Sequence, residues 1–256
     1  MTTAFALAPA PAIVRRLSDD ASAELLERVL GDEPADALLE RVLREGLVGE
    51  VAVVSSFGAE SAILLHLVAS IDRRTPVLFI DTGKLFPETL AYRDALTTLL
   101  GLEDVRTVGP DPSVLRRSDP TGERHRLDHD GCCELRKTVP LEHALTGFDA
   151  WLSGRKRHQS DVRVTLPRFE TDARGRIKVN PLADWTPEEQ HRYVERYRLP
   201  THPLVPEGYA SIGCAPCTSR IAPGEHPRAG RWRGADKTEC GIHVVDGKLV
   251  RSTPDG

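Results

Sequence analysis

With 256 residues, and 34 Lys+Arg set against 38 Asp+Glu, the chain has a formal charge of −4 and enough length to bury a substantial core. This balance gives no global attraction for nucleic acid or an anionic membrane, so neither is an expected partner and any anion site must be local. No apolar run reaches the roughly 20 residues needed to cross a bilayer. The stretch 4–14 lacks a preceding basic residue and is broken by Pro9 and Pro11, so a cytoplasmic location is expected.

The first 48 residues read as a helical segment. Ser18-Asp19-Asp20 opens a stripe of Leu25, Leu26, Val29 and Leu30 that Gly31 ends; Pro34 opens another with Leu38, Leu39, Val42 and Leu43, stopped by Gly46. The period then changes. Residues 51–54 and 76–80 are short buried strands and 105–108 a third strand, separated by helices over 61–70 and 87–100, the latter closed by Gly101. Residues 116–130 are strongly charged and ambiguous. A helix over 131–145 precedes a fourth strand at 150–153, and 164–169 with 176–180 form a hairpin about Ala173-Arg174-Gly175. Thr186-Pro187-Glu188-Glu189 caps a helix ending near Tyr197, after which regular structure is sparse. The expectation is an α/β domain over 49–220, a parallel sheet flanked by helices, followed by an irregular, flexible tail over 221–256.

Ligands in such sheets bind beyond the carboxyl ends of the strands. Ser55-Ser56-Phe57-Gly58-Ala59-Glu60, Asp81-Thr82-Gly83 and Ser153-Gly154-Arg155 occupy those places. The first lacks the lysine of a Walker A loop and the spacing of a dinucleotide fingerprint, so spacing does not identify an occupant. Arg136, Lys137, Arg155, Lys156, Arg157, Arg163, Arg228, Arg231, Arg233 and Lys237 form a cationic excess near these segments. Arginine forks suit phosphate- and sulfate-type oxygens, so a small polyanion is expected. The five cysteines divide into the adjacent Cys132 and Cys133, the knuckle Cys214-Ala215-Pro216-Cys217, and a lone Cys240. Four grouped thiols suit zinc or an iron–sulfur cluster, and the adjacent pair leans towards a cluster with several metal corners. Cys240 lies in Lys237-Thr238-Glu239-Cys240-Gly241-Ile242-His243, where Lys237 and His243 would favour a nucleophilic thiolate.

Together, Ser56-Phe57-Gly58-Ala59-Glu60, Ile80-Asp81-Thr82-Gly83, Cys132 and Cys133 with Lys137, Ile212-Gly213-Cys214-Ala215-Pro216-Cys217, and the Cys240 segment resemble the assimilatory adenylyl-sulfate (APS) reductases. These belong to the phosphoadenylyl-sulfate (PAPS) reductase family. The resemblance implies an adenine-nucleotide α-hydrolase-like fold and thioredoxin-dependent reduction of APS to sulfite and AMP. It further implies a [4Fe–4S] cluster on Cys132, Cys133, Cys214 and Cys217. Lys137 would stand between cluster and substrate. Arg155, Arg163, Arg228, Arg231 and His243 would contact the phosphosulfate or its approach, and Ser55, Phe57, Phe79 and Thr82 the adenosine. Cys240 would attack sulfur and carry an S-sulfocysteine. Ser61 and Trp232-Arg233-Gly234 depart from the usual pattern without touching a proposed ligand or the nucleophile. A PAPS reductase has no use for four extra cysteines, and an ATP-using adenylating or tRNA-thiolating enzyme would carry a Ser-Gly-Gly-x-Asp-Ser loop absent here. A homo-oligomer is compatible with the sequence.

Overall fold

Residues 22–235, Lys237, Glu239 and Cys240 are described by a computed structural model of the chain. Alternation along two neighbouring strands explains how the sheet is covered. In β1 (Val51–Ser55), Val51 and Val53 enter one apolar cluster while Ala52 and Val54 face another; in β2 (Val77–Ile80), Val77 and Phe79 share the first and Leu78 and Ile80 the second. Both faces are therefore buried, which is why these strands read as continuous apolar runs.

The first cluster takes Leu26 and Leu30 from α1 (Ala23–Leu30) and Leu38, Leu39 and Val42 from α2 (Ala35–Leu43). It also takes most of α3 (Ser61–Ile71), with Tyr92, Leu96 and Leu100 of α4 (Pro87–Leu100). The second cluster is closed by Leu141 of a later helix and by Leu145, packed on Trp151. The N-terminal helices thus share one core with the sheet. Ser22 caps α1, its Oγ accepting from the Leu25 N–H at 3.2 Å; the expected start at Ser18 lies outside the described residues. Gly101 closes α4 at φ 63°.

The sheet runs β3-β2-β1-β4-β6-β5, with β3 (Val105–Val108), β4 (Ala150–Leu152), β5 (Phe169–Thr171) and β6 (Ile177–Val179). All pairs are parallel except β5 with β6, so the sheet is mixed and mainly parallel. Val53 pairs with Val77 on one side and with Leu152 on the other. The chain goes from β1 outward to β3 and then returns to the other side of β1, making the β1–β4 junction the topological switch point.

Two expectations shift. The first hairpin strand is Phe169–Thr171, not 164–169, because Asp161–Arg163 forms a 3₁₀ turn that Val164 caps. Residues 116–130, left ambiguous, hold parts of short helices: α5 (Pro112–Ser118), α6 (Arg124–Leu127) and the start of α7 (His129–Cys133). The expected single helix over 131–145 is α7, a π-helical turn at Glu134–Thr138, and α8 (Val139–Ala144). Thr186 and Glu189 form a reciprocal capping box on α9 (Pro187–Tyr197). Among the described residues no helix is long and apolar enough to cross a membrane.

Candidate active site

A cavity of about 350 Å³ opens at the switch point, a volume suited to a nucleotide-sized ligand. The turn after β1 builds one side of it. Phe57 adopts left-handed backbone at φ 49°, its N–H donating to Ser55 Oγ at 3.1 Å, and its ring is driven into the core against Phe79 at 5.4 Å between centroids. With Phe57 turned inward, Ser55, Ser56 and Glu60 face the cavity. The Glu60 carboxylate accepts from Lys156 Nζ and Gln159 Nε2, each at 2.6 Å. Burial pushes the Glu60 carboxyl up, but Lys156, with Gln159 and His158 adding to it, makes the net direction down.

The end of β4 supplies Arg155, which donates to Glu170 at 2.8 Å and keeps a buried Nε with no hydrogen-bond partner. A buried, unsatisfied guanidinium N–H beside a cavity marks a place for an incoming acceptor. Arg163 and Arg228 lie on the same wall. Glu239 reaches into them: Arg163 Nε and Nη2 both donate to its carboxylate at 2.6 Å, Arg228 Nη2 stands at 3.4 Å, and Ser160 Oγ donates at 3.2 Å. Burial pushes the Glu239 carboxyl up, yet Arg163 and then Arg228 hold it below its ordinary value.

A second cavity adjoins the first and is lined by all four grouped cysteines, with Lys84, Arg136, Lys137 and Arg231 among its walls. Three local features bring the thiols together. Asp128 caps α7 by accepting from the Gly131 N–H at 2.8 Å, and a Cβ on Gly131 would overlap Asp128 and Arg124. The π-helical turn follows Cys133 directly, a distortion frequent at functional sites. Buried Arg136 anchors that turn, pairing with Asp119 at 2.6 Å and donating to the Thr82 carbonyl at 2.9 Å. On the other side, the Ala215 N–H donates to the Lys84 carbonyl at 2.8 Å, and Cys214 lies with its sulfur 3.2 Å from Thr82 Oγ1. Gly213 admits the Arg231 guanidinium, which any Cβ there would strike.

Among the described residues, no three His, Cys, Asp or Glu side chains converge to hold a single metal ion. All four thiols line one small cavity of about 10 Å³, and thiolates are the ligands that iron–sulfur clusters take. Burial pushes the Cys132 and Cys217 thiols up; bound metal would draw them off as thiolates, and the surrounding cations would offset the resulting negative charge.

Cys240 is half-buried where the two cavities meet, and Lys137 and Arg231 line both. Lys137 Nζ lies 3.5 Å from Cys240 Sγ. A hydrogen bond from the Cys133 thiol is the largest influence holding Cys240 well below the ordinary thiol value; burial opposes it, and Lys137 and Arg231 add to it. Burial works against the Lys137 charge, but the sulfurs of Cys240, Cys214 and Cys133 raise its pKa overall.

Of the residues singled out in the sequence, Ser55, Thr82, Lys137, Arg155, Arg163, Arg228, Arg231 and Cys240 line the first cavity, and Cys132, Cys133, Cys214 and Cys217 line the second. Phe57 and Phe79 line neither. Both are wholly buried in the apolar core: the left-handed turn at Phe57 rotates its ring beneath the sheet end, and Phe79 lies on the β2 face that packs on the first cluster. His243 lies outside the described residues. Arg233 pairs with Glu225 on the surface at 2.8 Å. Sequence reasoning missed Glu60, Gln159, Asp119 and Glu239. Glu60 and Glu239 sit inside the quoted motifs, and an acidic residue among so many expected cations was the available signal; Gln159 and Asp119 offered none.

Over residues 50–220 the chain matches the phosphoadenosine phosphosulfate reductase domain. It is 51% identical over 201 residues to a protein from Mesorhizobium japonicum named adenosine 5'-phosphosulfate reductase, covering 78% of this chain and 79% of that one. A protein from Gloeobacter violaceus named phosphoadenosine 5'-phosphosulfate reductase is 42% identical over 199 residues, covering 76% and 83% respectively. Among solved structures, the phosphoadenylyl-sulfate reductase of Candida auris superposes with a TM-score of 0.64 over 78% of this chain and 96% of that chain. At 22% identity, this is a likeness of fold.

Proposed function

The chain belongs to the phosphoadenosine phosphosulfate reductase family, and from that premise we propose that it reduces adenylyl sulfate to sulfite and AMP, with Cys240 as nucleophile. One observation carries the reading: a thiol 3.5 Å from a lysine ammonium, at the mouth of a cavity walled by Arg155, Arg163, Arg228 and Arg231.

Attack on a sulfuryl sulfur brings a thiolate towards anionic oxygens, and fixed cations lower the cost of that approach. The Cys240 sulfur forms a bond to the sulfuryl sulfur while the sulfur–oxygen bond to the AMP phosphate breaks, giving an S-sulfocysteine. The electron pair leaves with AMP, whose developing charge the arginines stabilise. One thiol of a dithiol then attacks the Cys240 sulfur and expels sulfite, leaving a mixed disulfide; its second thiol closes the reductant's own disulfide and releases the Cys240 thiolate, so two electrons pass from the dithiol to sulfur. Thioredoxin is the proposed dithiol. Leu64, Leu65, Leu85 and Ile212 give the cavity an apolar wall for the adenine, with Ser55 and Thr82 as polar contacts.

Cys132, Cys133, Cys214 and Cys217 would hold a [4Fe–4S] cluster, which when bound, with its four thiolates, places net negative charge beside Lys137 and tunes the site. Support comes from the four-thiol lining and from the cations that face it. With Cys133 engaged as a ligand, Lys137 and Arg231 are the groups left to favour the Cys240 thiolate. In this reading the segment from 221 to Cys240 carries the nucleophile to the substrate, in the cytoplasm; the rest of the expected tail, 241–256, lies outside the described residues. The name of the Gloeobacter relative favours a second substrate, PAPS.

The test is anaerobic purification, iron and sulfide determination, and sulfite release from APS and from PAPS. Mass spectrometry after APS addition should find an added SO₃ on the wild type and none on Cys240→Ser. An adduct that persists on the mutant refutes the assignment, and faster sulfite release from PAPS selects the second substrate.

A further inference from the structure

Glu239 is the one acidic side chain that the segment after residue 221 sends into the arginine wall, among the described residues. Its two oxygens meet Arg163 Nε and Nη2 at 2.6 Å each, the forked geometry by which a guanidinium holds carboxylate, phosphate or sulfate alike. Both side chains are nearly closed to solvent, at 6% and 8% exposure. Arg228 at 3.4 Å and Ser160 at 3.2 Å complete the shell around the carboxylate. A buried ion pair adds little net stability, since desolvation offsets most of its attraction. What it fixes is arrangement, and here it fixes the residue next to Cys240.

We propose that Glu239 is a built-in placeholder for the anionic end of the substrate: tail docking and substrate entry compete for the same pair of arginines, Arg163 and Arg228. This rests on the reading of the cavity as the phosphosulfate site. Two anions cannot share this pair at low cost, because like charges a few ångströms apart repel strongly where water is scarce. An entering phosphosulfate therefore displaces the carboxylate. The tail does not have to leave with it. Lys237 pairs with Asp130, just ahead of Cys132, and that second clasp is made to a different wall. Releasing Glu239 alone converts a docked tail into a tethered one, with Cys240 still held near its target. Arg155 and Arg231, each with a buried Nε that has no hydrogen-bond partner, line the same cavity and make no hydrogen bond to the carboxylate.

The experiment compares wild type, Glu239→Gln and Glu239→Asp as full-length, anaerobically purified proteins with matched iron content and unfolding temperature. The probe is ADP, which carries two linked anionic groups on adenosine and offers no sulfuryl sulfur to a thiol. Glu239→Gln removes the competing charge and should bind ADP about tenfold tighter, the scale of one charged hydrogen-bond interaction. Glu239→Asp keeps the charge and should stay near wild type. Equal or weaker ADP binding by Glu239→Gln overturns the proposal, as does a matching gain in Glu239→Asp. Sulfite release from APS by the wild type is scored separately. Turnover with unmoved ADP affinity sinks the placeholder alone; no turnover with the tenfold gain sinks the substrate assignment and leaves the placeholder standing.

Discussion

The two walls of the cavity are made by different physics. The wall from β1, β2 and β4 is the rim of a buried sheet, and its backbone is fixed by apolar packing on both faces. The wall from 200–240 contributes nothing to the main apolar cluster, whose last described member is Leu199. It is stitched by polar contacts: Ser219 N–H to the Gly230 carbonyl at 2.8 Å, Trp232 N–H to the Cys217 carbonyl at 3.0 Å, and the Glu239 pairs. The contrast teaches where a deletion will register. Truncation on the sheet side costs stability, whereas on the polar side it changes chemistry while the fold survives.

The largest expected effect tests the sheet side. Phe79→Ala should destabilise the protein by about 3–5 kcal/mol, the usual range for emptying a buried aromatic position. ADP affinity of the folded fraction should move little. Denaturant unfolding alongside titration checks this, and a collapse of ADP binding at unchanged stability would return Phe79 to the ligand site.

On the polar side, Lys137→Ala should lower the rate of S-sulfocysteine formation by about a hundredfold, as loss of one preorganised cation beside a reacting centre does. Iron content and unfolding temperature should hold. Single-turnover mass spectrometry with parallel iron determination decides it; iron lost in step with activity would make the lysine a cluster support.

The smallest effect sits at the seam between the walls. His202 is fully buried, its Nδ1 accepting from the Leu204 N–H at 3.2 Å, which leaves Nε2 to donate to Thr89 Oγ1 of α4 at 3.0 Å. Burial lowers its pKa from 6.5 to about 4. The unfolded chain then binds the extra proton between those values, so this stabilising contribution is complete above 6.5 and is lost as pH falls through about 4. Thermal unfolding from pH 7 to pH 4 should fall less steeply for His202→Gln than for wild type. Parallel slopes would show that the histidine titrates normally in the folded chain.

How far the site was legible varies with the range of the contacts involved. Strands β1, β2 and β4 follow from short apolar runs, β3 from its place in the strand–helix alternation, and the ends of α4 and α9 from Gly101 and from the Thr186–Glu189 capping box. Strand ends named Ser55, Thr82 and Arg155 as cavity residues because topology makes carboxyl ends converge. The inward turn of Phe57 was hidden, since a left-handed conformation at a non-glycine residue has no sequence mark. So was the π-helical turn that divides the expected single helix after Cys133.

By itself, the sequence determined a two-faced buried sheet, the places where its helices start and stop, and a division of five thiols into a quartet and one apart. These follow from side-chain period and from residue chemistry, which neighbouring positions already express. Only the tertiary structure decided that Asp119 holds Arg136 under the cysteines, that Lys156 is buried against Glu60, and that Glu239 lies within the arginines. Each joins residues brought together by the closure of long loops. Which charge meets which is then set by where the sheet's rim and the polar-stitched wall come to rest against each other.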